Sequence, residues 1–246
     1  MTETESKLEH TATSDQMAAR QDLKTLFREI PLGTEDALFN LGLYTRSGLL
    51  VKFLLLSDLY KRAMRVPGIM CEFGVWYGQN LVLLENLRAL YEPFYKQRKF
   101  VGFDTFEGYG EGKFAGTGLY STGLKYKDYL DKLLRCHSRM NVYGHQPYIH
   151  ELIAGDVYWT APNYFNSHLH ETVAFAMLDM GPYAPTRRAL EAIKPRLLPG
   201  SLILLDEFTL ADTPGEAQAW LSVMGTTGYR MERLAMYPSK VVAEIL

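Results

Sequence analysis

The chain has 246 residues, 47% of them hydrophobic, which is enough for one α/β domain with extensions around a large buried core. Its formal charge of -2 lacks the basic surplus that marks binding to nucleic acid or to an anionic membrane, and neither partner is expected. Cys71 and Cys136 cannot build a disulfide framework, residues 1–20 hold no apolar signal core, and no run approaches the ~18 apolar residues of a spanning helix, so a soluble cytoplasmic protein is expected.

In chain order, residues 1–20 are polar and rich in charge, the composition of a flexible arm. From Leu23 to about Met64 apolar residues recur at helical spacing, as in Leu50, Phe53, Leu54, Leu55 and Leu59, so helices are predicted across residues 21–66. Pro67-Gly68 breaks that pattern. Residues 67–246 then alternate helical stretches with strand-like runs at Ile69 to Phe73, Phe100 to Asp104, His150 to Ile153, Thr172 to Asp179 and Ser201 to Asp206. Such alternation predicts βαβ units and a parallel sheet. Two last runs, Tyr229 to Met236 and Lys240 to Leu246, flank Tyr237-Pro238-Ser239, a link too short for a parallel crossover and suited to an antiparallel hairpin.

The parallel runs close on acids: Glu72, Asp104, Asp156, Asp179 and the pair Asp206-Glu207. Ligands of open parallel sheets bind beyond the carboxyl ends of the strands, so this pattern gathers the carboxylates along one rim of one cleft. In the segment from Glu72 to Asn80, Gly74 and Gly78 permit a tight turn and close approach of a ligand, and the helix start offers N–H groups to a carboxylate or phosphate. An ordinary strand-to-helix turn is the alternative. The two glycines fall short of the Gly-x-Gly-x-x-Gly series of a dinucleotide site. In Gly102-Phe103-Asp104-Thr105-Phe106-Glu107-Gly108, Asp104 suits ribose hydroxyls and Phe106 an apolar wall for adenine, with Gly155-Asp156 hydrogen-bonding on the adenine side. Asp179, Asp206 and Glu207, on strand ends ~5 Å apart, repel one another unless they share a cation or a proton, and hard oxygen ligands favour Mg²⁺. A solvated acidic rim or a set of helix caps is the competing reading. Between Tyr109 and Tyr129, Gly110, Gly112, Gly116, Gly118 and Gly123 interleave with tyrosines, the composition of a flap over a site or of a plain surface loop. Lys113, Lys125, Lys127 and Arg46 are candidates to meet a diphosphate.

These motifs together resemble the nucleotide-deoxysugar 3-O-methyltransferases, relatives of the macrocin O-methyltransferase group. The likeness rests on Glu72-Phe73-Gly74 with Gly78-Gln79-Asn80-Leu81, on Gly102 to Gly108, on Tyr183-Ala184-Pro185-Thr186, and on Pro199-Gly200-Ser201 followed by Asp206-Glu207. It implies a doubly wound, Rossmann-like α/β fold: a mostly parallel seven-stranded sheet with an antiparallel C-terminal hairpin, preceded by N-terminal helices. It also implies S-adenosylmethionine as methyl donor, a divalent metal such as Mg²⁺, and a dTDP-sugar acceptor such as rhamnose in antibiotic biosynthesis. A homo-oligomer is expected. The implied donor site comprises Glu72, Phe73, Gly74, Gly78, Asn80, Asp104, Thr105, Phe106, Gly155 and Asp156; Asp179, Asp206 and Glu207 are the implied metal ligands. One departure stands out, because the family reads Asp-x-Asp-Leu-Tyr where this chain has Asp179-Met180-Gly181-Pro182-Tyr183. With no carboxylate at 181, Asp179 is the candidate base, and His145, His150, His168 and His170 are substitutes by sequence order. Other readings are a phenol or glycosylated natural product as acceptor, a non-catalytic donor-binding module, and an NAD enzyme.

Overall fold

A computed structural model of the chain describes residues 13–95, 97–109, 116–118, 120–141 and 150–246. The chain divides after Lys52 into two units. In the first, α1 (Ser14–Arg28) starts on a capping box: Thr13 Oγ1 accepts from Gln16 N, and Gln16 Oε1 accepts from Thr13 N. That box begins a helix inside the stretch read from composition as an arm. A short helix α2 (Thr34–Phe39) and a 3-10 turn (Leu41–Tyr44) follow, and the rings of Phe27 and Tyr44 meet edge-on at 5.0 Å.

The second unit is built on a seven-stranded sheet of the described residues: β1 (Ile69–Phe73), β2 (Phe100–Asp104), β3 (His150–Ala154), β4 (Val173–Leu178), β5 (Leu197–Leu205), β6 (Tyr229–Arg233) and β7 (Val241–Ile245). Its order is β3-β2-β1-β4-β5-β7-β6, parallel from β3 to β5, with β7 antiparallel to both β5 and β6. Every residue of β1 and β4 is buried, as expected of parallel strands covered on both faces. Alternation then sorts their side chains. Ile69, Cys71, Phe73, Phe103 and Leu178 share one core with α6 (Val157–Ser167), α7 (Tyr183–Ile193) and α8 (Gly215–Met224). Met70, Phe100, Phe175 and Met177 share the other with α3 (Ser47–Ala63, through Leu55, Leu56, Leu59 and Tyr60), α4 (Gln79–Tyr91) and α5 (Leu124–Asn141). The sheet is therefore doubly wound.

Two boundaries differ from the sequence reading. Pro199-Gly200 does not precede β5 but lies within it, at a register shift that takes the pairing from Val173↔Leu197 to Phe175↔Leu202, with Gly200 at φ +88°. β6 stops at Arg233, because Leu234 N donates to Lys240 O and Tyr237 N to Leu234 O, closing the hairpin turn earlier.

The amino ends of the strands are fastened by Arg98, whose side chain is almost wholly buried. Its guanidinium donates to the carbonyls of Met64, Val66 and Gly68 and to both carboxylate oxygens of Glu92. A planar five-donor group is needed for that set. Cys71 is buried, and burial pushes its thiol up, while Cys136 is exposed.

Candidate active site

Hydrogen bonds step from strand to strand just beyond the carboxyl ends: Gly155 N to Asp104 O at 2.9 Å, Gly74 N to Phe103 O at 2.9 Å, Asp179 N to Phe73 O at 2.9 Å and Asp206 N to Leu178 O at 3.1 Å. The acids thus lie along one edge in the order of the strands, Asp156, Asp104, Glu72, Asp179 and Asp206. Chain order reverses between β1 and β4, which places a crevice at Gly74.

On the β1 side of that crevice Glu72 is buried, and Asn80 Nδ2 donates to its Oε1 at 2.6 Å. Asn80 Oδ1 is buried and has no hydrogen-bond partner among the described residues. Gly74 has φ +92°, and a Cβ there would stand 2.1 Å from the Asp179 carbonyl oxygen. Gly78, at φ +72°, opens α4 with no side chain capping the helix. An orphaned buried acceptor and uncapped N–H groups at a strand-to-helix turn fit a small zwitterionic donor.

Other expected donor contacts are already committed within the chain. The Asp104 carboxylate accepts from Val75 N at 2.7 Å and Trp76 N at 2.8 Å through Oδ2, and from Phe106 N at 2.6 Å through Oδ1. Three of about four acceptor positions on a carboxylate are used, so Asp104 chiefly clamps two loops and keeps little capacity for ribose. Thr105 Oγ1 donates to Gly108 O and accepts from Glu107 N. Phe106 is fully buried among Val75, Leu81, Leu84 and Leu130, because its φ of +58° turns the ring into the core; as an adenine wall it is corrected. Phe73 is likewise fully buried, stacked on Phe103 at 4.7 Å, and offers a ligand no side chain. Asp156 caps α6, accepting from Tyr158 N at 2.8 Å, and Gly155 precedes it at φ +127°.

Left-handed backbone at residues other than glycine is costly, and all three described cases border this rim: Trp76 at φ +50°, Phe106 at +58° and Tyr120 at +62°. Trp76 and Tyr120 meet edge-on at 5.3 Å, Tyr120 meets Tyr109 at 5.6 Å, and Tyr77 meets Tyr126 at 5.2 Å. The segment returning to α5 is pinned where Thr122 N and Gly123 N both donate to Phe106 O. Of the anticipated flap, Gly110, Gly112 and Lys113 lie outside the described residues, as does His145.

On the β4–β5 side Asp179 is exposed. Burial, then Tyr120, Asp179, Glu207 and Glu216 in turn, raise the Tyr109 phenol; burial, then Asp179 and Glu207, raise Tyr120. Gly181 has φ +79°, and a Cβ on it would lie 3.3 Å from Glu207 Oε2. The Glu207 carboxylate therefore reaches the space beside the position where the family's second Asp would project.

Sequence reading missed Glu216, in the first turn of α8. It is fully buried, accepts from Glu207 N at 2.8 Å through Oε2, leaves Oε1 without a hydrogen-bond partner among the described residues, and is pushed up to about 8, first by burial and then by Asp179 and Glu207. Because its folded value exceeds the unfolded 4.5, the folded state holds the extra proton. Stability then falls as pH rises between 4.5 and about 8 and levels off above. Glu216→Gln is expected to flatten that segment in denaturant unfolding across pH; an unchanged slope would remove Glu216 as its source.

Lys240 was missed as well. Leu205 pairs with Val241, so the next step of that antiparallel register sets Lys240 opposite Asp206, and the two side chains form an ion pair. The expected metal set does not fit this arrangement. Asp206 already holds an ammonium, and among the described residues no three His, Cys, Asp or Glu side chains converge as an ion would require. The histidine substitutes for the base are also corrected. His150 starts β3 and pairs with Asp131 at 3.0 Å, while His168 and His170 precede β4, so all three sit at the amino ends, away from the rim.

Among solved structures, the fold and sequence resemble CalS11, a calicheamicin methyltransferase, with 31% identity over 96% of this chain and 94% of that one at a TM-score of 0.88. An apo structure of CalS11, described as a TDP-rhamnose 3'-O-methyltransferase of calicheamicin biosynthesis, matches with 31% identity over 96% of both chains at a TM-score of 0.85. The O-methyltransferase NovP shares the fold alone, with 16% identity over 79% of each chain at a TM-score of 0.57. No family profile and no curated protein sequence matches the chain.

Proposed function

The chain belongs to the deoxysugar O-methyltransferases, S-adenosylmethionine-dependent enzymes of the class I fold, and from that premise we propose that it methylates a sugar hydroxyl of a dTDP-deoxysugar such as dTDP-rhamnose. The observation carrying this reading is the 31% identity across 96% of the chain to a TDP-rhamnose 3'-O-methyltransferase. The crevice supports it, since donor-side groups and an exposed carboxylate flank one Gly74 turn.

When bound, S-adenosylmethionine supplies a methyl group on a sulfonium, whose sulfur keeps the bonding electron pair as the methyl departs. Asn80 Oδ1 would hold the donor's amino group, and the Gly74 to Gly78 turn would let its chain pass close to the backbone. Asp179, across that turn, takes the proton of the acceptor hydroxyl as the oxygen bonds to the methyl carbon. Trp76 and Tyr120 offer faces for the acceptor's base or hexose. Much of the acceleration comes from holding donor and acceptor in line. The divalent ion expected from the sequence has no step here, because its intended ligand Asp206 is held by Lys240.

The test is mass spectrometry of purified protein incubated with S-adenosylmethionine and dTDP-rhamnose. One added methyl on the sugar is expected. Methylation of catechols in its place would move the acceptor to the phenol class, and donor binding without transfer to any acceptor would end the enzymatic reading.

A further inference from the structure

We propose that the Lys240 ammonium is the resident cation of the acidic rim, occupying the place at Asp206 that a divalent ion would otherwise take. Four observations carry this. Lys240 is buried, which for an ammonium demands a partner, and Asp206 supplies one. Its backbone is fixed from both sides, N donating to Tyr237 O at 2.9 Å and O accepting from Leu234 N at 3.1 Å. The ammonium also lies 4.4 Å from the centre of the Tyr237 ring, a second favourable contact for a cation. Finally, Gly181 sits on this side of the rim at φ +79°, where a Cβ would lie 3.3 Å from Glu207 Oε2, so this position adds no charge of its own and poorly accommodates an acidic side chain.

These features compensate one another. Glycine at 181 adds no charge to the rim, and a lysine placed just ahead of β7 lowers its negative charge, so the acids stay near the acceptor without an external ion. The chemistry is that of a fixed monocation: Lys240 holds Asp206 in place and offsets the repulsion among Asp206, Glu207 and Asp179, as a metal would, but offers no open coordination position. Lys240 is accordingly a positioning residue. The catalytic half of this inference rests on the methyltransferase reading above, whereas the cation-binding half does not.

The experiment pairs two readouts on full-length protein stripped of metal by chelation. In electron paramagnetic resonance titrations with Mn²⁺, wild type is expected to show no saturable binding, while Lys240→Met gains affinity by about tenfold or more because Asp206 is released. In turnover assays chelation is expected to change the wild-type rate by less than about twofold, and Lys240→Met to lose roughly 100-fold with S-adenosylhomocysteine affinity preserved. The double variant Lys240→Met with Asp206→Asn removes the unpaired charge. It is expected to regain the thermal midpoint but not the rate, which separates positioning from mere structural support. One equivalent of Mn²⁺ bound tightly by wild type, a chelated enzyme revived by metal, or a double variant with the wild-type rate would each overturn the proposal. If no deoxysugar nucleotide is methylated under any condition, the functional reading fails while the Mn²⁺ titration still decides the cation site.

Discussion

Asp179→Asn is expected to lower turnover by about 10³-fold while S-adenosylhomocysteine binds within about threefold of its wild-type affinity. The split follows from where the residue sits. Its backbone N–H continues the β1–β4 pairing by donating to Phe73 O at 2.9 Å, a bond that the amide variant keeps, so the donor side of the crevice is undisturbed. What changes is the exposed carboxylate, the group proposed to receive the proton. Asparagine has the same shape and no basicity, so the acceptor hydroxyl loses the group that takes its proton and the loss falls on kcat. Other acids beside it are less suited: Asp206 is held by Lys240, and Glu216 is buried and pushed up to about 8. Steady-state kinetics with calorimetric titration of S-adenosylhomocysteine measure both quantities. A variant retaining the wild-type kcat would transfer the role of base to Glu207, whose carboxylate lies beside the Gly181 position.

The second large effect is expected of Gly74→Ala. At φ +92° an alanine is strained wherever it is placed, and here its Cβ would stand 2.1 Å from the Asp179 carbonyl oxygen and 2.8 Å from its carbon. Neither obstacle is the end of a flexible side chain. β1 and β4 must separate, which breaks the Asp179 N to Phe73 O bond at the centre of the sheet. A loss of about 3–5 kcal/mol in stability is expected, together with loss of donor binding, because the turn and the base shift together. Urea unfolding and donor titration test it. An unfolding midpoint and affinity equal to wild type would mean that the turn relaxes far more freely than its packing suggests.

Much of this architecture was legible from local pattern. The runs ending at Glu72, Asp104, Asp179 and Asp206 announce buried parallel strands, and strand polarity alone sends the acids to one rim. The same polarity would have set His150, His168 and His170 aside, since each stands before or at the start of a strand. Lys240 was hidden for a different reason. Its partner Asp206 is brought to it by antiparallel pairing between β5 and β7, a non-local register that no window of sequence displays. Glu216 looked like an ordinary first-turn acid after Pro214-Gly215, and only its burial and its bond from Glu207 N mark it. Phe106 fits the motif, but one unusual φ inverts its side chain, which composition cannot reveal.

The reversal of strand order between β1 and β4 has an evolutionary corollary. On the reading proposed above, grip on the methyl source belongs to the turn after β1 and choice of what receives the methyl to segments after β4 and β5, with the β1–β4 backbone pairing as the seam between them. Mutational drift on the far bank can retune preference among sugars without loosening hold on the reagent. Descendants of such a scaffold would diverge in product long before they abandon the shared co-substrate.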